Sequence, residues 1–443
     1  MIEALRPYPE MAMPEPDWLP PLPGHWQLHR AKANFREVDE RSVSGHEELL
    51  SVSHKTGVTP RSQKNVTMFM AESYEGHKTC KPGDIVVNTL WAWMAALGAS
   101  TDVGIVSPAY GVYRQRAEAF DPRFLDYLLR TETYRGEYLR SSRGITTSRL
   151  RLYPPDFLNI PFVQPLLDEQ RLIVRFLDWH GAMTGKLIRA KRGVLALIAE
   201  QREVLTRQAV EDRDTTSMRF SRVAQHVFRS VDRSDAPYFV TVGLFNRGRG
   251  IFHKPVLDGD GLGQSTFSWV EEGDLIFSGQ FAWEGAVAIA GPKEHGCIAS
   301  HRYHIVRGDP QLASNIYLWC LFRSSLGQML LDEHSRGAAG RNRPLNISYL
   351  MKEDIPVVSP AHQARLQEFV AHERRMMDEV ADYVSTLQEF RTRLIADVVT
   401  GQLDVRAVAA SLPDLAEVEA FADTADDTED DDEDVLDADT DDA

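Results

Sequence analysis

Apolar residues recur every three to four positions along two long stretches of this chain. In the first, Ile173, His180, Leu187 and Val194 hold one heptad position, and Phe176, Met183, Ala190, Leu197 and Val204 hold the other. In the second, Leu366, Glu373, Val380, Leu387 and Leu394 alternate with Phe369, Met376, Tyr383 and Phe390. A seam of period 3.5 predicts a helix that packs lengthwise on another helix. Each seam lasts about 32 residues, roughly 48 Å at the helical rise. Leu177, Ile188, Leu195 and Ile198 widen the first stripe, and Val370, Met377, Val384 and Ile395 the second. A wide stripe implies a partner surface beyond the helix pair. His180 and Glu373 interrupt the seams and read as register or surface features.

The stretches before each seam are irregular and mixed. Short β-branched and aromatic runs (GDIVV, YFVTVGLF, GDLIFS, RYHIV) predict strands between Gly-rich turns. Apolar spacing predicts helix over 124–139 and 315–331. The two halves also echo each other. GDIVVNTLWAW at 83–93 answers GDLIFSGQFAW at 273–283, and FREVDER at 35–41 answers FRSVDRS at 228–234. Ser142-Arg143-Gly144 answers Ser335-Arg336-Gly337, and IPFVQP at 160–165 answers IPVVSP at 355–360. With Ile105–Tyr110 against Ile298–Tyr303, most pairs lie 193 residues apart, with slips at 190 and 195. A unit of about 190 residues is far longer than a solenoid repeat, so this is a duplicated domain pair. In each echo, Gly-Asp predicts a turn into a strand, and Trp93 and Trp283 are expected as core anchors.

Charge changes the picture in one place. The chain carries a formal net charge of −16, but residues 411–443 hold 16 acidic residues and no Lys or Arg. The remainder has 49 acidic and 49 basic residues. A neutral body therefore carries an acidic tail too charged and too poor in large apolar residues to fold. The longest apolar run, Leu90 to Ala99, is too short to span a membrane. No secretory signal is visible at the N-terminus. Cys80, Cys297 and Cys320 lie far apart without a CxxC, which suits a reducing cytoplasm.

Catalytic signatures are near-misses. GAMTGKL at 181–187 has too few residues between its glycines for a phosphate loop and sits inside a seam. GDGLGQS at 259–265 lacks the third glycine of a dinucleotide fingerprint. LYPPDF at 152–157 has Tyr153 where an amino-methyltransferase needs Asn or Asp. His25 with His29, and His301 with His304, have metal-like spacing but no recurring third ligand. No catalytic residue and no metal site is assigned.

Basic loops recur in both halves instead. Arg140, Arg143, Thr146, Thr147 and Arg149 lie in SSRGITTSRLR, and Arg336, Arg341, Asn342 and Arg343 in SRGAAGRNRPLN. Lys55, Arg61 and Lys64 in the first half correspond to Arg247, Arg249 and Lys254 in the second. Arg with Asn, Thr and Ser is the set that reaches phosphates and base edges, so these residues are the candidate DNA contacts. Two related domains on long helices form a caliper. Half-sites one DNA turn apart lie roughly 34–36 Å apart, within reach of such helices.

With these residues in view, the chain resembles the specificity subunits of type I restriction–modification systems over about residues 20 to 405. The resemblance rests on IPFVQPLLDEQRLIVRFLDWHGAMTGKLIRAKRGVLALIAEQREVLTRQAV and on IPVVSPAHQARLQEFV with LIADVVTGQLDVR. SRGITTSRLRL and SRGAAGRNRPLNIS resemble the stretch that closes each target recognition domain. The resemblance implies an α+β fold in which two mixed α/β target recognition domains stand in pseudo-twofold arrangement, separated by two long antiparallel coiled-coil helices. On this reading residues 1–160 and 213–355 are the recognition domains, 161–212 and 356–405 the spacer helices, and 406–443 the disordered tail. It further implies a non-catalytic subunit that reads a bipartite site on double-stranded DNA. Its partners are two modification (adenine methyltransferase) subunits and ATP-dependent restriction subunits, with S-adenosylmethionine, ATP and Mg on those partners. The second joint departs from the pattern, with His362-Gln363 in place of Glu-Gln-Arg. The Pro-rich leader and the tail lie outside the resemblance. A self-contained restriction enzyme or methyltransferase, and a coiled-coil scaffold, are the alternatives.

The tail can be a solubiliser or a competitor of nucleic acid for basic surface. As a competitor, its removal after about residue 406 tightens non-specific DNA binding at low salt. Equal affinity with and without it, by fluorescence anisotropy on a random duplex, leaves only solubility.

Overall fold

The computed structural model describes residues 5–63, 73–146, 149–337 and 343–413. Lys64, Thr147, Arg341, Asn342 and most of the acidic tail lie outside the described residues. The chain divides into two compact units, Met1–Arg189 with Tyr383–Ala443, and Ala190–Asp382.

In the first unit, a four-stranded antiparallel sheet runs in the order Phe35–Glu37, Gly111–Gln115, Ile85–Val87, Leu97–Ala99. The second unit repeats that order with Ala224–Val227, Tyr303–Gly308, Leu275–Ser278 and Val287–Ile289. In each, the strand that follows Gly-Asp lies inside the sheet and is buried along its length, as a continuous apolar run requires. The Gly-Asp turn has a common chemistry. Gly83 and Gly273 take φ of 85° and 84°, where a side chain would be strained. The Asp84 and Asp274 carboxylates, 1 % and 0 % exposed, each accept a backbone N–H at 2.9 Å, from Lys81 and Glu271. Each also takes an arginine from the adjacent strand. Arg114 donates twice to Asp84 at 2.8 Å, and Arg307 donates to Asp274 at 2.8 Å, joined there by Arg229.

The echo of FREVDER in FRSVDRS does not survive as an equivalence. Phe35 pairs with Gln115 in the sheet and is fully buried. In the second unit the residue opposite Gly308 is Ala224, and Phe228 lies past the strand end, 58 % exposed. The two copies slip by four residues here.

Each predicted helix after the sheet is a pair of helices. Pro122–Leu129 is followed by Glu132–Ser141, and Asn315–Phe322 by Ser325–Glu333. The breaks fall where Thr131 and Ser324 turn their hydroxyls onto the N–H groups of Tyr134 and Gly327 as N-caps. The Ile-Pro joints are strands: Pro161–Gln164 pairs with Gln27–Arg30, and Asp354–Val357 with Thr216–Arg219.

The long helices span Leu167–Val210 and Pro360–Val399. Each starts with the same glutamine lock. The Gln170 amide accepts from Asp121 N–H at 2.8 Å and donates to the carbonyls of Ala119 and Pro165. Gln363 does the same with Ser314 N–H, Leu312 and Val358. The second joint thus keeps the lock although its neighbours differ. Glu169, beside Gln170, is the exception to the symmetry. It accepts from Tyr8 Oη at 2.8 Å and Trp26 Nε1 at 3.1 Å, and pairs with His25 at 2.8 Å. The leader is therefore part of the first unit's core. Leu5, Tyr8, Leu19 and Leu22 pack with Val405, Ala409 and Leu412. Residues Arg406–Ser411 are helical and belong to this core rather than to a tail, so a tail truncation belongs after Pro413.

In the first unit the start of one long helix meets the end of the other. Ile173 and Phe176 share a core with Leu394, and the His180 ring packs 5.7 Å from that of Phe390. In the second unit Leu205 and Ala209 pack with Leu366, Val370 and the half-buried Phe369. Within each unit one helix therefore enters as the other leaves, an antiparallel pair. Val380 is buried, and Met376 and Leu387 are half-buried. Met183, Leu187, Val194, Leu197, Tyr383 and Phe390 are exposed by 38–64 % despite their heptad positions. A helix pair covers one face of each stripe only, and the stripes are wider than that face.

Glu373 is no surface residue. It is 4 % exposed and pairs with Arg202, itself 6 % exposed and stacked 4.6 Å over the Trp319 ring. A buried pair of this kind fixes register at a cost in desolvation. Glu373→Ala strands the Arg202 charge and is expected to cost about 3–5 kcal/mol in denaturant unfolding of the full chain. The joint replacement Arg202→Met with Glu373→Leu is expected near neutral. A joint loss as large as the single one would contradict this.

Candidate nucleic-acid interface

Each unit builds three segments around its sheet: the connection that follows the Gly-Asp strand, a loop pinned to the segment before that connection, and a basic hairpin. The hairpin packs on Leu97–Ala99 in the first unit and is tied to the connection in the second. The first is the connection itself. Ala92–Met94 and Ala282–Glu284 form a single tight helical turn, closed by Ala95 and Gly285 at φ of 63° and 78°. Trp93 and Trp283 donate Nε1–H to the carbonyls of Leu90 and Gln280, both at 3.1 Å. The tryptophans are half-buried, and the fully buried residue is the alanine before each. They brace the turn across its own backbone and are not the core anchors that the sequence suggested.

The second segment is the loop after the helix pair. Arg143 and Arg151 exchange backbone hydrogen bonds at 2.9 and 3.0 Å, and Leu152 N–H donates to Thr89 O at 3.1 Å. In the second unit Ser335 bridges Leu345, whose N–H donates to Gly279 O at 2.8 Å. The loop is thus pinned to the tryptophan turn in both copies. Its cations are partly engaged. Arg140 forks onto Glu137 at 2.7 and 2.9 Å, and Arg143 reaches Asp156 at 2.5 Å. Arg149 N–H donates to Thr146 O. Arg336 bonds the Glu333 carbonyl at 3.0 Å, and its side chain is 80 % exposed. Arg343 donates to Ser335 O and Asp332 and stacks 4.7 Å over Trp283.

The third segment is a basic hairpin. Leu50–Ser53 pairs with Gly57–Pro60, with Lys55 at the turn and Arg61 just beyond. Val242–Leu244 pairs with Ile251–His253, carrying Arg247 and Arg249 at the tip and Lys254 after it. Arg247 stands at φ 56°, an uncommon conformation for a side-chain-bearing residue. The Asn246 amide bonds the Glu284 carboxylate, which ties this hairpin to the tryptophan turn. Arg249 lies 5.1 Å over the Phe245 ring.

One pair of residues escaped the sequence reading. Arg130 and Arg323, 193 residues apart, each reach from the end of a helix to a hairpin carbonyl, Lys55 O and Gly248 O. Arg130 also pairs with Asp126 at 3.2 Å. At the matching place beside Arg323 stands Trp319, 5.7 Å from the guanidinium. Burial, and then the neighbouring Arg202, push Arg323 down to about 10. The signal was present as Leu-Arg-Thr at 129–131 against Phe-Arg-Ser at 322–324.

Among the described residues no group of three or more His, Cys, Asp or Glu could hold a metal ion. His304 packs 5.5 Å from His226, and burial pushes it down to about 4, so it is neutral at physiological pH. No helix of the described residues is long and apolar enough to cross a membrane.

No protein-family model and no curated protein matches the chain. Solved structures do. One, from work on complex assembly and conformational transition of the type I R-M system, is 16 % identical over 85 % of this chain and 98 % of its own, with a TM-score of 0.52. The HsdS subunit from Thermoanaerobacter tengcongensis is 17 % identical over 86 % of this chain and 98 % of its own, with a TM-score of 0.40. The type I restriction-modification S subunit from M. genitalium is 11 % identical over 87 % and 98 %, with a TM-score of 0.37. The mixed α/β architecture with two long helices is therefore a fold that this chain shares with the first of these across most of its length.

Proposed function

We propose that this chain is the DNA-sequence specificity subunit of a type I restriction–modification complex. Each unit reads one half of a split site on double-stranded DNA, and the two long helices hold the gap between the halves. The observation that carries this reading is the construction of one site twice. The turn, the pinned loop and the hairpin recur in both units, while the side chains they display differ. Both copies have the same indole-to-carbonyl bond across the turn and the same leucine N–H bond pinning the loop to the segment before the turn. A scaffold kept with its displayed chemistry changed is what two readers of different sequences need.

The chain supplies recognition and no chemistry. Two modification subunits bring S-adenosylmethionine, and restriction subunits bring ATP and Mg. The exposed apolar residues along the long helices, Leu187 and Leu197 among them, offer the modification subunits a place to dock. A self-contained methyltransferase finds no support in a cofactor loop.

The purified chain with labelled S-adenosylmethionine and DNA is expected to transfer no methyl group. With its modification subunits added, adenine methylation is expected at a split sequence, read by mapping methylated positions on a random-sequence library. Methyl transfer by the chain alone, or methylation at one unbroken motif, would overturn the reading.

A further inference from the structure

The two copies of the tryptophan turn differ in what covers them, and the difference has a chemical meaning. In the second unit the residue two before Trp283 is Phe281, which is half-buried and packed against the core that holds Val242, Ile276 and Ala286. The Arg343 guanidinium lies over Trp283. In the first unit the same place holds Trp91, which joins no core cluster and is 52 % exposed. Its ring lies nearly parallel to that of Trp93, 17° apart at 6.4 Å. Leu150 stands in the loop where the second copy has Arg343.

A second apolar side chain is displayed on the adjoining segment. Ile145, in the loop pinned to Thr89, is 100 % exposed. A single exposed apolar residue is ordinary. Here a tryptophan and an isoleucine project from two segments joined by the Leu152–Thr89 hydrogen bond, with Arg143 and Arg149 in the same loop. Arginines attract the phosphate backbone, and the apolar groups beside them then meet bases. The one apolar group in the major-groove code is the C5-methyl of thymine.

We propose that Trp91 and Ile145 are specificity-determining residues that read thymine methyl groups in the half-site of the first unit. The second unit, with Phe281 turned in and Arg343 over its tryptophan, reads its half-site by polar contacts. The inference rests on the DNA-binding reading above and adds to it a base identity and the residues that select it.

The test uses the full chain with its modification subunits and duplexes carrying the split site. Deoxyuridine replaces thymine in one half-site at a time, which removes only the methyl groups. For the unaltered chain, the substitution is expected to weaken binding about fourfold per methyl in one half-site and to leave the other unchanged. Trp91→Ala and Ile145→Ala are expected to bind more weakly and to lose that sensitivity, with unfolding midpoints unchanged. Trp91→Phe is expected to keep most of it, and Phe281→Ala to leave it intact. A half-site without thymine, or variants as sensitive to deoxyuridine as the unaltered chain, would overturn the inference and spare the function. Failure of the unaltered complex to bind any split site would remove both.

Discussion

A buried carboxylate at the start of one strand organises each unit. Asp84 and Asp274 lie out of water, hold the backbone of their own turn and draw an arginine from the neighbouring strand. A lone carboxylate in that position would be several kcal/mol too costly, and the pair with Arg114 or Arg307 is what makes burial tolerable. The strand that follows is thereby fixed in register inside the sheet. Its far end delivers the tryptophan turn, and the segment before the turn pins the loop. In the second unit the turn also holds the hairpin through Asn246 and Glu284. The repeated phrase is therefore the base from which the displayed residues are mounted, and it can recur while they change.

The copies differ both in the displayed residues and in the supports behind them. Asp126 beside Arg130 becomes Trp319 beside Arg323, and Trp91 becomes Phe281. The first exchange removes a partner from an arginine and moves the second unit's cations toward aromatic faces, with Arg202 and Arg323 both near Trp319. Glu373 then has to balance a crowded buried charge. In the second unit the long helices carry this cluster beside an apolar core that takes in Leu205, Ala209, Leu366 and Val370. In the first unit the apolar core around them also takes in the leader and the segment after Val399.

Much of this was legible in the sequence because it rests on local rules. The repeat, the Gly-Asp turns, the strands GDIVV and GDLIFS and the two long helices follow from period, turn chemistry and apolar runs. What escaped was decided by partners distant in the chain. Glu373 reads as a flaw in a heptad until Arg202 is placed against it, 171 residues away. Tyr8 and Trp26 sit in a Pro-rich leader with no periodic signal, and only Glu169 shows why that leader folds. The tryptophans looked like core because they are large and apolar, yet their indole N–H groups are used for bracing the turn. The basic residues were legible as clusters. Their individual engagement, such as Arg140 on Glu137, depends on helix geometry that spacing alone does not give.

The central claim is that two units read two half-sites at a distance held by the long helices. Deleting one heptad from each helix tests it most directly, with the methylated motif of the reconstituted complex as the readout. Seven residues of helix are about 10 Å, or about three base pairs. The account predicts a gap shortened by about that amount, with both half-site sequences unchanged. An unchanged gap, or altered half-sites, would contradict it.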